Sequence, residues 1–231
     1  MPYHEKIVIL TGAGLSAESG LSTFRDAGGL WANHRIEDVA TPEAFAANPG
    51  LVYDFYNKRR AQSADATPNA AHRALARLQQ QHTGVTLVTQ NVDDLLSKAG
   101  ADPIHMHGKL ASALCYRCEN RWDFAGDMGA ETPCPACGQT TVRPDIVWFG
   151  EMPYHMDDIA ARLEDCDLFA SIGTSGQVYP AAGFVQLATD FGAETIELNL
   201  EPTSHHFQSR RLGPATETVP AWVAELLDSV A

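Results

Sequence analysis

Cys115, Cys118, Cys134 and Cys137 form two Cys-x-x-Cys pairs with fifteen residues between them. A pair at this spacing bends two thiolates onto one ion, and two pairs complete the closed tetrahedron of structural Zn²⁺. The gap between the pairs is that of a zinc ribbon. With four sulfur ligands no coordination position is left for a substrate. The metal is therefore expected to hold a lobe together, and the chemistry must come from other residues. The fifth cysteine, Cys166, is unpaired in this pattern and reads as a small buried hydrophobe. Thiols kept reduced for metal fit the cytosol, so a cytoplasmic location is expected.

The rest of the chain reads as α/β. Lys6 to Leu10 (KIVIL) reads as a buried strand. Gly12, Gly14 and Ala17 follow at once in a G-x-G-x-x-A pattern where a helix begins. In that context the glycines let the backbone approach a pyrophosphate, and the helix start offers free N–H groups. A dehydrogenase of the usual kind would end a second strand in Asp or Glu about 20 residues on. Glu37 and Asp38 stand at that distance but follow no strand-like run. Residues 21–50 read instead as a loop over a cofactor, then short helices, which argues against ordinary hydride transfer.

Residues 51–81 read as helical, with a second helix start at Pro68 and Asn69. Val85 to Thr89 is the next buried strand, and it ends in the polar run Gln90, Asn91, Asp93, Asp94. Open α/β sheets bind ligands at such carboxyl ends. Ile104 to His107 is expected to be a short strand ending in His-Gly. After a zinc insertion at 111–142, the stretches 143–151, 167–175 and 194–201 each read as a strand with a polar end. The sheet is thus expected to resume. The fold class expected is a doubly wound, mostly parallel Rossmann-like sheet with a smaller helical plus zinc-ribbon lobe. Residues 1–30, 85–110 and 143–231 would form the nucleotide-binding domain, 31–84 a helical module and 111–142 the zinc-binding module.

A formal net charge of −13 repels a polyanion at long range, so stable nucleic-acid binding is not expected. Basic, lysine-rich peptides suit such a surface. No apolar run approaches the roughly 20 residues that span a bilayer, and MPYHEKIVIL makes a poor signal peptide. The chain offers no sign of its oligomeric state.

Taken together, these motifs resemble the sirtuins, the NAD-dependent protein-lysine deacylases. The resemblance is carried by GAGLSAESGLSTFR at 12–25, TQNVDDL at 89–95, HG at 107–108, the four cysteines, GTS at 173–175 and NLE at 199–201. YNKRR at 56–60 and RPDIVWFGEMP at 143–153 look more narrowly like the class that includes many bacterial sirtuins and the mitochondrial desuccinylases. The resemblance implies NAD⁺ as co-substrate, one structural Zn²⁺, acyl-lysine proteins or peptides as partners, and release of nicotinamide and O-acyl-ADP-ribose. It implies His107 as the general base on the ribose hydroxyls. His105, two residues earlier, has an equal claim by spacing alone; the following Gly108 and the family pattern select His107.

By the same resemblance Gln90, Asn91, Val92 and Asp93 surround the nicotinamide and its ribose. Gly12, Ala13, Gly14, Glu18, Thr23, Phe24, Arg25 and Trp31 form the phosphate loop and its cover. Gly173, Thr174, Ser175, Asn199, Leu200, Glu201 and Ala215 surround the adenosine end, and Val147, Trp148 and Phe149 line the acyl-lysine channel. Tyr56 and Arg59, three residues apart on a helix, share a face. A guanidinium beside a tyrosine hydroxyl suits the free carboxylate of succinyl-, malonyl- or glutaryl-lysine. Lys58 and Arg60 flank Arg59, so a merely basic helix face is the competing reading. Leu21-Ser22, Leu96 and Lys109 depart from the family pattern beside the site, which bears on rate and not on reaction class.

Overall fold

A computed structural model describes residues 3–21 and 34–229 of the chain. Four residues assigned above to the cofactor, Thr23, Phe24, Arg25 and Trp31, lie outside the described residues. The described chain runs β1 (Ile7–Thr11), α1 (Gly14–Ala17), α2 (Ile36–Val39), α3 (Pro42–Ala47), α4 (Pro49–Asp65), α5 (Ala70–Gln81), β2 (Val85–Thr89), α6 (Leu95–Lys98) and β3 (Ile104–His105). It continues through β4 (Gly108–Cys115), β5 (Arg121–Asp123), β6 (Val142–Ile146), α7 (Met156–Glu164), β7 (Leu168–Ile172), α8 (Phe184–Asp190), β8 (Glu194–Asn199), β9 (Ser209–Leu212) and α9 (Ala215–Asp228).

β1 shows why the sheet is buried on both sides. Successive side chains on a strand point to opposite faces. Ile7 and Ile9 enter a core built with Leu75 and Leu78 of α5 and Trp222 and Val223 of α9. Val8 and Leu10 enter another, with Ile159 and Leu163 of α7 and Val185 and Ala188 of α8. The parallel sheet has the order β3-β2-β1-β7-β8-β9. β1 therefore has β2 on one side and β7 on the other, and the carboxyl ends of β1 and β7 form the switch point where such folds bind ligands. This is the doubly wound sheet expected.

The second body is an antiparallel sheet of order β5-β4-β6 with the helices α2, α3 and α4 against it. Val39, Ala44, Val52 and Phe55 close on Leu110, Ile146 and Trp148. One expectation is corrected here: the strand at 142–146 pairs with β4 and does not resume the parallel sheet. Pro144 gives the reason. It has no N–H to offer, so its strand belongs at a sheet edge, and β6 is an edge of the small sheet. Gly108, at φ +81, permits the close approach: a Cβ there would lie 2.0 Å from the Asp145 carbonyl.

Two helix starts fix the site's supports. α4 begins at Pro49 behind Asn48, whose side chain accepts the Leu51 N–H at 3.2 Å. α5 begins with a reciprocal cap: Asn69 Oδ1 accepts from Ala71 and His72, and His72 Nδ1 accepts the Asn69 N–H at 3.2 Å. Among the described residues no helix is long and apolar enough to cross a membrane.

Candidate active site

Two glycine loops meet at the switch point. Gly12 N–H donates to Ile172 O at 2.9 Å, and Gly14 N–H donates to Gly173 O at 2.9 Å. Gly173, at φ +62, packs so closely that a Cβ on it would lie 2.5 Å from Leu15 N. The glycines of both loops thus let two backbones touch. Asn199 Nδ2 donates to Thr174 O at 2.7 Å, which joins the β8 end to this cradle. Leu200 and Glu201 stand exposed beside it. Glu18 turns toward α9, where its carboxylate accepts the Thr216 N–H at 3.2 Å, one residue beyond Ala215. That position suits a helix start and its partial positive charge.

The end of β2 locks onto the same cradle. Gln90 N–H donates to Thr11 O at 2.9 Å, and Asn91 Nδ2 donates to Gly12 O at 3.0 Å and to Ser16 Oγ at 3.1 Å. Asp93 Oδ1 accepts the Leu95 N–H at 3.0 Å, at the start of α6. Burial holds the Asp93 carboxyl above the usual carboxylate range, opposed by the Leu95 N–H, the Ser16 hydroxyl and Arg59. Val92 O accepts the Leu110 N–H at 2.7 Å, tying this turn to β4.

Sequence reasoning missed Ser16 and His72. His72 Nδ1 accepts from Asn69, so its hydrogen sits on Nε2 and points at Ser16 Oγ, 3.3 Å away. With two donors on its oxygen, from His72 and Asn91, Ser16 turns its own hydrogen toward Asp93. Burial drives the His72 pKa down to about 4, with Arg73 adding to the effect. The signal was present: Asn69 and His72 stand in a cap spacing at an expected helix start.

His107 donates from Nδ1 to Gln90 O at 3.1 Å. A carbonyl can only accept, so Nε2 keeps its lone pair and is the free base. Burial holds the His107 pKa below the ordinary histidine value, and the Gln90 carbonyl acts against that shift. His105 differs. It is buried, and burial with Lys109 nearby drives its pKa down to about 4, against the Asn91 backbone, which acts to raise it. It lines a separate groove with Lys109, Arg121, Asp145 and Tyr154. β3 ends at His105, so strand alternation does not carry the two imidazoles onto one face.

Val147 N–H donates to His107 O at 2.9 Å, and Phe149 N–H donates to Ala40 O at 3.0 Å. The Val147–Phe149 segment therefore bridges the histidine and the helical module. Trp148 between them is buried and donates from Nε1 to Tyr56 Oη at 3.0 Å. Arg59 is half-buried on the same helix, its Cζ 5.9 Å from the Tyr56 ring centroid and 5.7 Å from that of Phe55. Burial pulls its pKa down, while Tyr56 and Asp93 pull it up. Arg60 points elsewhere: it is buried and donates from Nε to Leu110 O at 2.6 Å. The flanking cations therefore do not make one solvated basic face.

The four cysteines converge, with their sulfurs all within 4.8 Å of one another. Cys115 and Cys137 are 3.7 Å apart, as are Cys118 and Cys134. A tetrahedron with Zn–S bonds of about 2.3 Å has edges of about 3.8 Å, so the cluster fits Zn²⁺. Cys166 is buried in the sheet core and donates to Leu163 O at 3.3 Å; burial pushes its thiol up to about 11. It is a packing residue.

Comparison with known proteins agrees with this geometry. The profile of the Sir2 family matches residues 12–180. An NAD-dependent protein deacylase of Bdellovibrio bacteriovorus is 54% identical over 231 residues, covering 97% of each chain. A Sir2 homologue solved with NAD superposes with a TM-score of 0.90 at 35% identity, over 99% of this chain and 91% of that one. A Sir2 protein solved with a deacetylated p53 peptide and 3'-O-acetyl ADP ribose superposes with a TM-score of 0.83 at 26% identity, over 96% of this chain and 94% of the other.

Proposed function

The chain belongs to the Sir2 family, and on that premise we propose that it is an NAD⁺-dependent protein-lysine deacylase acting on succinyl- and malonyl-lysine as well as acetyl-lysine. NAD⁺, when bound, supplies an electrophilic ribose carbon and a leaving nicotinamide. The loops of Gly12, Ala13 and Gly14 and of Gly173, Thr174 and Ser175 would hold its phosphates and adenosine, with Asn199, Leu200, Glu201, Ala215 and Glu18 around them. Gln90, Asn91, Val92 and Asp93 would seat the nicotinamide and ribose, and the family resemblance gives the cover to Thr23, Phe24, Arg25 and Trp31. Holding the reactants in one pose is the main service of these groups.

His107 takes the ribose-hydroxyl proton at Nε2, the nitrogen that the Gln90 carbonyl leaves free. Val147, Trp148 and Phe149 line the channel for the acyl-lysine chain. Tyr56 and Arg59 receive the terminal carboxylate of an acidic acyl group. Four cysteine thiolates hold Zn²⁺ as a structural ion. The peptide of the acyl-lysine substrate fits an acidic protein of net charge −13.

The observation that carries this reading is the hydrogen-bonded line from the glycine cradle to the imidazole. Thr11 O takes the Gln90 N–H, and Gln90 O takes the His107 Nδ1–H. The test is mass spectrometry of acetyl-, malonyl- and succinyl-lysine peptides with and without NAD⁺. Deacylated peptide and free nicotinamide are expected only with NAD⁺, and Arg59→Met should abolish desuccinylation while sparing much of deacetylation. Absence of both products in the presence of NAD⁺ would reject the reading.

A further inference from the structure

Arg143 and Glu151 stand outside the proposed pocket, yet their contacts end on its tyrosine. The buried Arg143 guanidinium forks onto Glu151, Nη1 to Oε1 and Nη2 to Oε2, both at 2.8 Å. Nη2 also donates to Ile146 O at 3.1 Å. The guanidinium lies over the Trp148 ring, 4.0 Å from its centroid, the stacking that a planar cation makes well. Glu151 holds the same residue by its backbone: Oε2 accepts the Trp148 N–H at 2.8 Å, and the Glu151 N–H donates to Trp148 O at 3.0 Å. The indole is fixed at its backbone and over its ring.

That fixation determines what Tyr56 can still do. An indole N–H only donates, so Tyr56 Oη accepts from Trp148 and its own hydrogen remains to be given. Among the described residues no acceptor takes it. Burial keeps the phenol neutral, with its pKa pushed up to about 12. Arg59 stands one helical turn further along α4, on the same face.

We propose that Arg143 and Glu151 are a positioning pair for acyl choice: they hold the Trp148 indole on the acceptor side of Tyr56, so that the Tyr56 O–H is aimed, beside Arg59, at the carboxylate of an acidic acyl-lysine. The inference rests on the carboxylate pocket proposed above. An acetyl group brings no carboxylate, so its removal does not call on the Tyr56 O–H that the pair aims.

The test compares wild type, Arg59→Met, Arg143→Met and Glu151→Gln with acetyl- and succinyl-lysine peptides, separating kcat from KM. For Arg143→Met the succinyl-lysine KM should rise about tenfold, the worth of one hydrogen bond, with both acetyl-lysine parameters within about twofold of wild type. Glu151→Gln opens the same fork from its other side and should give the same selective shift, which keeps the test alive should Arg143→Met fold poorly. Equal losses on both peptides, or an unchanged succinyl-lysine KM in both variants, would overturn the positioning role. Should Arg59→Met itself leave succinyl-lysine turnover intact, the pocket is wrong and the pair falls with it. A selective Arg59→Met beside two unselective pair variants removes the pair alone.

Discussion

At the scale of single residues, tautomer and burial define what His107 can do. Gln90 O pins the hydrogen on Nδ1, and burial keeps the ring neutral to lower pH than a free histidine. A base of lowered pKa is ready above that pKa and is lost as pH falls through it. The acid limb of kcat/KM should therefore lie below about 6.5, the ordinary histidine value, in a pH–rate profile of acetyl-lysine turnover. His107→Ala should lower kcat by about 10²–10⁴ and remove that limb. A limb unmoved by the substitution would take the base away from His107. The candidacy of His107 was legible in the sequence, because a His-Gly pair after a short strand is a local feature. The Gly has its own cause, the backbone of β6 lying against it, which no local pattern states. The choice between His105 and His107 was not legible from spacing. It depends on Gln90 O and on the groove behind β3, groups that come from other parts of the chain.

At the scale of elements, the start of α5 links helix chemistry to the site. His72 serves both as the return half of the Asn69 cap and as a donor to Ser16. Its pKa near 4 makes it a stability switch as well. Between its folded value and the unfolded value of about 6.5, the unfolded chain binds the extra proton, so stability falls as pH drops through that window. His105, also held near 4, adds to the same slope. His72→Gln should flatten the fall of Tm between pH 6.5 and 4 while costing about 1 kcal/mol at neutral pH for the weakened cap. Thermal melts of both proteins across that range decide it; parallel curves would remove His72 from the linkage. The strands were readable for the same reason as the cap: β1 and β2 are short apolar runs bounded by glycine or polar residues. β6 was misplaced because a strand-like run does not name its neighbour. The proline within it did carry the edge signal, through its missing amide hydrogen.

At the scale of the whole molecule, the cysteine lobe and the proposed acyl pocket meet on adjoining faces of one helix. On α4, Tyr53, Asn57 and Arg60 follow a spacing of four and three residues, one face of a helix. All three reach into the small sheet and its cysteine loop: Tyr53 Oη donates to Val142 O at 2.7 Å, Asn57 Nδ2 to Met128 O at 2.9 Å, and Arg60 Nε to Leu110 O at 2.6 Å. Tyr53 also shares a core with Cys115 and Cys134. Tyr56 and Arg59 occupy the adjoining face of the same turns. A structural metal bound there would contribute its binding free energy to the fold of its own lobe, and the hydrogen bonds of Tyr53, Asn57 and Arg60 tie that lobe to the helix that carries Tyr56 and Arg59. Removal of Zn²⁺ should therefore cost acyl choice before it costs the parallel sheet, whose cores contain none of the four ligands. Titration with a chelator, followed by a zinc indicator, far-UV circular dichroism and succinyl-lysine KM, tests the order of events. Succinyl-lysine KM should rise in step with zinc release while most of the far-UV signal persists, and added Zn²⁺ should restore it. Cys118→Ser should begin partway along that path. A stripped protein with unchanged KM would show that α4 keeps its setting without the metal, and a single loss of all signals together would show that the two bodies fold as one.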